Sequence, residues 1–246
     1  MNGLKFGNYI LTRKNVSYFV LEKNPPAFQY HIGGRDNNSK IKQAKQVKDL
    51  GVHVSDNLTS DAHITEIVGK ASRVVFTIKR TMGYLTEKVG KYLFTGLVRP
   101  ILEYAAPAWN PYKIKDVDYI EKVQRRFTKM IPSLRNLPYT ERLKRLNLFS
   151  LRHRRRRGDL IQLFSLIREN SEMVNEYYFR SRHATRGHNL KLSHSRAKLD
   201  VRKYSFFVRV VADWNSLPSE VVNCANVNCF KRNLDKHWAN EPSRFL

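Results

Sequence analysis

The hydrophobic pattern of this chain changes period near residue 60. Before that point, short runs rich in β-formers alternate with turn formers. Residues 15–21 (NVSYFVL) end at Asn24, Pro25 and Pro26, residues 27–32 (AFQYHI) follow, and residues 33–38 (GGRDNN) are rich in turn formers. Residues 47–54 form a third strand candidate, with Lys48, Asp49 and His53 interrupting a short apolar stretch. Three short strands with one apolar face need a larger sheet or covering helices to be stable. From Asp61 onward the spacing becomes three and four: Ile64, Ile67, Val68, Ala71, Val74, Val75, Ile78 and Met82 make one stripe. That stripe predicts a helix capped by Ser60 or Asp61 and ending near Gly83.

The helical period then persists. A second helix over residues 87–99 would turn Val89, Tyr92, Leu93 and Leu97 inward, with Pro100 marking a bend or an end. Residues 101–111 (ILEYAAPAWNP) read as a kinked apolar element. Val117, Ile120, Val123, Gln124, Phe127 and Ile131 form the next stripe, closed by Pro132. A short helix over 139–148 has Thr140 as its cap, and residues 151–167 carry an apolar stripe of Leu160, Ile161, Phe164 and Ile167. Residues 169–200 are polar and read as a long loop. Phe207, Val210, Val211 and Trp214 then share a face, as do Phe230, Leu234 and Trp238, so Trp214 and Trp238 are expected to be core anchors. The expected fold class is α+β: mainly α-helical with a small N-terminal β segment. Four regions are expected, at 1–58, 59–168, 169–200 and 201–246.

Composition and charge narrow the class. At 246 residues, 41% hydrophobic and 11% aromatic, the chain can bury a core. It has no run near the roughly 20 apolar residues that cross a bilayer, and its start lacks the features of a secretory signal. Its two cysteines, Cys224 and Cys229, agree with a reducing compartment. An intracellular location is expected, with nucleus and cytoplasm both open.

The formal net charge is +24. Half of it lies in residues 122–157, where thirteen Lys and Arg face one acid, Glu141. Such a run repels itself unless a polyanion neutralises it, so a phosphate backbone is the first partner to consider. Lys122, Arg125, Arg126 and Lys129 recur at three and four opposite the apolar stripe, forming a cationic ridge. A solvated outer face is the competing reading, but the acids that usually balance one are absent after Glu121. Arg154, Arg155, Arg156 and Arg157 must point around a whole helix circumference. One of them, Arg154 or Arg157, should therefore lie near the core with Asp159 or a carbonyl as partner. The tract RHRRRR could alternatively serve nuclear import.

A second basic cluster spans residues 180–209. In it, Arg180, Arg182 and Arg186 follow Tyr177, Tyr178 and Phe179, a combination that suits phosphate contacts with base stacking, although ring burial is equally easy.

Candidate chemistry is sparse. Metal-dependent nucleotidyl transfer needs carboxylates converging on divalent ions. Asp116 and Asp118 point apart on a helix, and Asp56 and Asp61 sit at a turn and a helix start, where capping is the simpler role. Cys224, Cys229 and His237 have poor zinc spacing, and only a distant His188 or His194 could complete a set. His183, His188 and His194 lack nearby acids to orient a general base. Neither a phosphate-binding loop nor a dinucleotide fingerprint occurs. No metal or cofactor is expected.

One ordered set of segments goes further. KQVKDLGVHVSDNLTSDAHI, LVRPILEYAAPAWNPY, DVDYIEKVQRRFTKMI, YTERLKRLNLFSLRHRRRRGDLIQLF, TRGHNLKL and RVVADWNSLPSEVVN resemble, in order, the C-terminal half of the reverse transcriptase of non-LTR, LINE-type retrotransposons of the jockey kind. The resemblance covers about residues 40–238. It implies that residues 1–58 correspond to a palm edge and 59–168 to a thumb-like helical domain gripping template and primer. The C-terminal region would handle RNA and target DNA.

The family's Mg2+-binding aspartates have no counterpart in these residues and would lie upstream, as would its fingers and endonuclease. Its C-terminal Cys and His cluster is not reproduced by Cys224, Cys229 and His237. Lys122, Arg125, Arg126, Lys129 and Arg154 to Arg157 match its basic motifs. The expectation is a nucleic-acid-binding fragment that takes RNA, DNA or their hybrid and has no polymerase activity alone. Two alternatives stay open: a part active only with a separate fingers and palm chain, and an interaction or structural protein with incidental charge. Oligomeric state and base preference are not legible.

Overall fold

The computed structural model describes residues 5–6, 9–11, 17–20, 31–32, 39–40, 42–169, 174, 179–180, 188–194, 196–239, 241 and 245. It is mainly α-helical with a small N-terminal β segment, as the change of period predicts. The chain divides into two compact units, Met1–Glu66 and Ile67–Leu246. The division falls inside the first long helix, not at the expected residue 58.

In the first unit, β1 (Lys5–Phe6), β2 (Tyr9–Leu11) and β3 (Ser17–Val20) run antiparallel, and β6 (Lys42–Gln43) joins β3 in parallel. β4 (His31–Ile32) pairs with β5 (Ser39–Lys40). The expected single strand over 47–54 is instead a hairpin of β7 (Gln46–Asp49) and β8 (Val52–Ser55). Its two-residue turn holds Leu50 at φ 46° and Gly51 at φ 85°. Two successive positive φ values match the twist of a tight hairpin. Leu50, where Asn or Asp is usual, hides that turn from a sequence reading.

The helix α1 (Asp61–Thr81) buries Ile64, Ile67, Val68, Ala71, Val75 and Ile78 on the predicted stripe. Met82 lies beyond its end and is exposed. The next segment corrects the expected face. α2 (Glu87–Leu93) leads without a break through a π-helical turn, Phe94–Val98, into α3 (Arg99–Glu103). The residues buried along it are Gly90, Phe94, Val98 and Leu102, spaced by four, while Val89, Tyr92 and Leu97 are exposed. Gly90 allows this rotation, since a Cβ there would stand 2.8 Å from Ile131 Cδ1. Pro100 does not end the helix. The Arg99 N–H reaches back to the Phe94 carbonyl in the wide turn, and Pro100 sits at the start of α3, where its missing N–H costs little.

Ala105, at φ 51°, kinks the chain into α4 (Ala106–Trp109), and the Trp109 indole donates to the Tyr104 carbonyl at 2.7 Å. α5 (Ile114–Met130) buries Ile120, Val123, Gln124 and Phe127 as predicted, and a 3-10 turn at Pro132–Leu134 closes it. α6 (Tyr139–Leu146) starts after Pro138, not at a Thr140 cap. It ends at Asn147, whose left-handed φ of 49° lets Leu148 N–H bond back to the Leu143 carbonyl at 2.9 Å. α7 (Leu151–Glu169) follows.

One core runs across residue 168, where a boundary is expected. Leu160, Leu163 and Phe164 of α7 share one core with Val210 and Trp214 of α9 (Phe206–Asn215) and with Phe230, Leu234 and Trp238, the first two on α11 (Val227–His237). The short helices α8 (Asp200–Lys203) and α10 (Ser219–Val222) complete this region. The expected 169–200 loop also contributes. Val174 and Leu192 lie in that core, and β9 (Phe179–Arg180) pairs with β10 (Leu192–Ser193).

Candidate nucleic-acid interface

On α5, Lys122, Arg125, Arg126 and Lys129 are all exposed, opposite the buried stripe. Lys122 to Lys129 covers about 10 Å of helix axis, a length over which one strand of duplex DNA presents about three phosphates. Among the described residues none of the four makes an ion pair. Arg125 instead lies over the Tyr139 ring at 4.9 Å, and Arg142 faces the same ring at 5.4 Å. Stacking on a ring holds a guanidinium in place without neutralising it.

The buried face of α5 fixes where the ridge points. Gln124 donates to the Phe149 carbonyl at 2.9 Å, and Arg142 Nη1 donates to the Arg125 carbonyl at 3.0 Å. Glu121, read from sequence only as the last balancing acid, is buried. Its carboxylate accepts from the Tyr139 hydroxyl and from the Leu151 N–H, at 3.2 and 3.1 Å to its two oxygens. Leu151 is the first residue of α7, so a carboxylate closes an exposed amide at a positive helix end. Burial raises the Glu121 pKa, against the hydrogen bonds and the nearby Arg155, and burial with the Glu121 charge raises that of Tyr139.

Two clefts extend the ridge. One, of about 410 Å³, is lined by Lys79 near the end of α1, by Arg126 and Lys129, and by Arg135, with Ile78, Met82 and Leu85 as apolar wall. The other, about 660 Å³ and open, shares Lys129 and Arg135 and adds Asn136, Tyr139 and Arg142. Among the described residues no acid lines either. Lys79, Arg135 and Arg142 are not marked out by the sequence, because they lie on three separate segments that the fold brings beside α5. The only available signal was the general lack of acids around them.

The four consecutive arginines of α7 are placed differently, with three of them in ion pairs to the protein's own carboxylates. Arg154 pairs with Glu103 of α3 through Nε and, at 2.9 Å, Nη2. Arg156 makes a fork to Asp213 at 2.7 and 2.9 Å, takes Glu241 at 2.7 Å, and lies 4.6 Å from the Trp238 ring. Arg157 forks onto Asp235 of α11 at 2.6 and 2.8 Å. The core-side residue is Arg155, not Arg154 or Arg157; it is 2% exposed, and its Nε donates to Asn110 Oδ1 at 3.0 Å. Asp159, its expected partner, receives Arg209 instead, in a fork of 2.9 Å on each oxygen, plus the Asn110 side-chain amide at 2.9 Å. A helical, paired tract is also not the exposed, flexible segment that the import reading needs.

The remaining candidates resolve as follows. The side chains of Tyr177, Tyr178, Phe179, Arg180, Arg182, His183 and Arg186 lie outside the described residues. His188 is buried, its Nε2 3.1 Å from the Trp214 carbonyl and its ring edge-on to Trp214, and burial lowers its pKa. Trp214 and Trp238 are core residues. Burial first, then the Cys229 thiol, pushes Cys224 up to about 11, which leaves it a poor nucleophile. Asp116 lies in the first turn of α5 and Asp118 is exposed. Among the described residues no group of three or more His, Cys, Asp or Glu could hold a metal, and no helix is long and apolar enough to cross a membrane.

No protein-family model, no curated protein and no solved structure matches this chain.

Proposed function

We propose that this chain binds the phosphate backbone of nucleic acid through the α5 ridge and its two flanking clefts. The partner is RNA, DNA or their hybrid, held as the thumb-like region of a LINE-type reverse transcriptase would hold it, with no nucleotide transfer by these residues alone. The observation that carries the reading is the set of four exposed α5 cations without an ion pair among the described residues, beside two clefts lined by cations and no acid. A folded protein that keeps such a surface is stabilised by a polyanion, and contacts to phosphates are made without regard to base sequence. The six family-like segments, in family order, supply the polymerase connection and rest on resemblance alone.

The test is equilibrium binding of the full chain to an RNA–DNA hybrid, duplex DNA and single-stranded RNA across a salt series. Binding at micromolar concentration or tighter, weakening steeply with salt, is the expected result, and preference for the hybrid would favour thumb-like recognition. Absence of binding to all three at physiological salt removes the proposal. Nucleotide incorporation on a primed template by the purified chain would remove its second clause.

A further inference from the structure

A second charged site lies at the N-terminal end of α5, before the ridge. A cavity of about 520 Å³ opens between the first turns of α7, the segment Asn110–Val117 and the α8–α9 region. Four arginines line it, Arg152, Arg155, Arg156 and Arg209, together with Asp118, Asp159 and Asp213. Two of these acids are already committed: Asp159 is forked by Arg209, and Asp213 by Arg156. What remains is Arg152, exposed and without an ion pair among the described residues, the buried Arg155, and the exposed carboxylate of Asp118 at the rim.

Arg155 is the unusual member. Among the described residues only its Nε has a partner, while Nη1 and Nη2 are buried with no acceptor. Buried polar groups in folded proteins are almost always satisfied, and a guanidinium fork matches two oxygens of a carboxylate or phosphate. Arg152 stands one helical turn before it, so two like charges adjoin. Burial first, and Arg152 among the other causes, depress the Arg155 pKa to about 10 despite Glu121, Asp159 and Glu103 nearby. An added anion would relieve both the desolvation and the repulsion. Since Nη1 and Nη2 are closed to solvent, its oxygens reach them only if a neighbouring side chain shifts. Tyr112 and Tyr204 also line the cavity. They stack on each other at 4.4 Å and 3°, with Lys203 5.3 Å from the Tyr204 ring and Lys113 6.0 Å from the Tyr112 ring, so the pair forms one rigid aromatic side of the cavity.

We propose that this cavity binds a phosphomonoester, its phosphate taken by Arg152 and Arg155 and the attached sugar or base placed beside the Tyr112–Tyr204 pair. The ligand chemistry has two sources, a free nucleoside monophosphate and the 5′-phosphorylated end of a nucleic acid strand. The site is independent of the α5 ridge.

The experiment uses the full chain carrying Lys122, Arg125, Arg126 and Lys129 changed to Gln, which removes the ridge as a competitor. Calorimetry with adenosine 5′-monophosphate should give saturable one-to-one binding, at least tenfold tighter than with adenosine. Arg152→Gln, at an exposed position, should weaken it about tenfold, and Arg155→Lys, which keeps the charge and loses the fork, should abolish it at a temperature where the variant is folded. A 5′-phosphorylated trinucleotide that binds more tightly than the monophosphate assigns the site to strand ends, and the reverse order assigns it to free nucleotides. No saturable binding, or equal binding by Arg152→Gln and the parent, overturns the proposal. If Arg155→Lys fails to fold, Arg152→Gln alone decides.

Discussion

The ridge of α5 and the arginine run of α7 look alike in sequence and end in opposite states. Both are dense in cations and poor in local acids. On α7 the acids arrive from far along the chain: Glu103 is 51 residues from Arg154, and Asp235 is 78 residues from Arg157. The run therefore ties α7 to α3, α9 and α11. Among the described residues no acid pairs with the four ridge cations of α5, and Arg125 lies instead over the ring of Tyr139. A cluster of charge in a sequence thus measures local imbalance only. Whether it faces a ligand or the protein's own carboxylates depends on contacts between distant segments.

The sharpest way to break the contrast is to unpair the α7 network. Arg209→Ala leaves Asp159, which is 4% exposed, without its fork and should cost about 3–5 kcal/mol in urea unfolding. A loss below about 1 kcal/mol would mean that this pair does not hold the helices together. The ridge predicts the reverse profile. Changing Lys122, Arg125, Arg126 and Lys129 to Gln should move unfolding by less than about 0.5 kcal/mol, as for surface positions generally. In the same protein the slope of log affinity against log salt should fall by about three units. A strongly destabilised variant would instead make the ridge part of the fold.

Smaller effects sharpen the picture. Burial holds the Glu121 pKa above its ordinary value, so its stabilising contribution is complete below the unfolded pKa and shrinks as pH rises through the folded value. Glu121→Gln cannot titrate. The stability difference should therefore move in the variant's favour as pH rises above the ordinary carboxylate range, about pH 4. A difference that is constant, or that moves the other way, contradicts the assignment. Arg157 pairs with the half-exposed Asp235, and Asp235→Asn should cost only roughly 0.2–1 kcal/mol.

These outcomes also mark how far the sequence was legible. The stripes of α1, α5 and α11 could be read directly because one apolar face dominates each. The inward face of α2 could not, because Val89, Tyr92 and Leu97 make a second plausible stripe, and Gly90 against Ile131 selects the other one. The exposed positions of the ridge followed from periodicity. The commitment of Arg154, Arg156 and Arg157 did not, since no local pattern points to Glu103, Asp213 or Asp235 as partners. Glu121 was hidden for the same reason: it lies beside the apolar stripe, and its partners Tyr139 and Leu151 come from the next two helices.

The central claim is that the ridge, and not the total charge, holds nucleic acid. The most direct test compares two variants of equal net charge, Lys122→Gln with Lys129→Gln and Arg154→Gln with Arg157→Gln, at a temperature where both are folded. The account predicts that the salt dependence of binding falls by about two units in the first and is unchanged in the second. Equal losses in the two would contradict it, because binding would then follow the overall field of the protein.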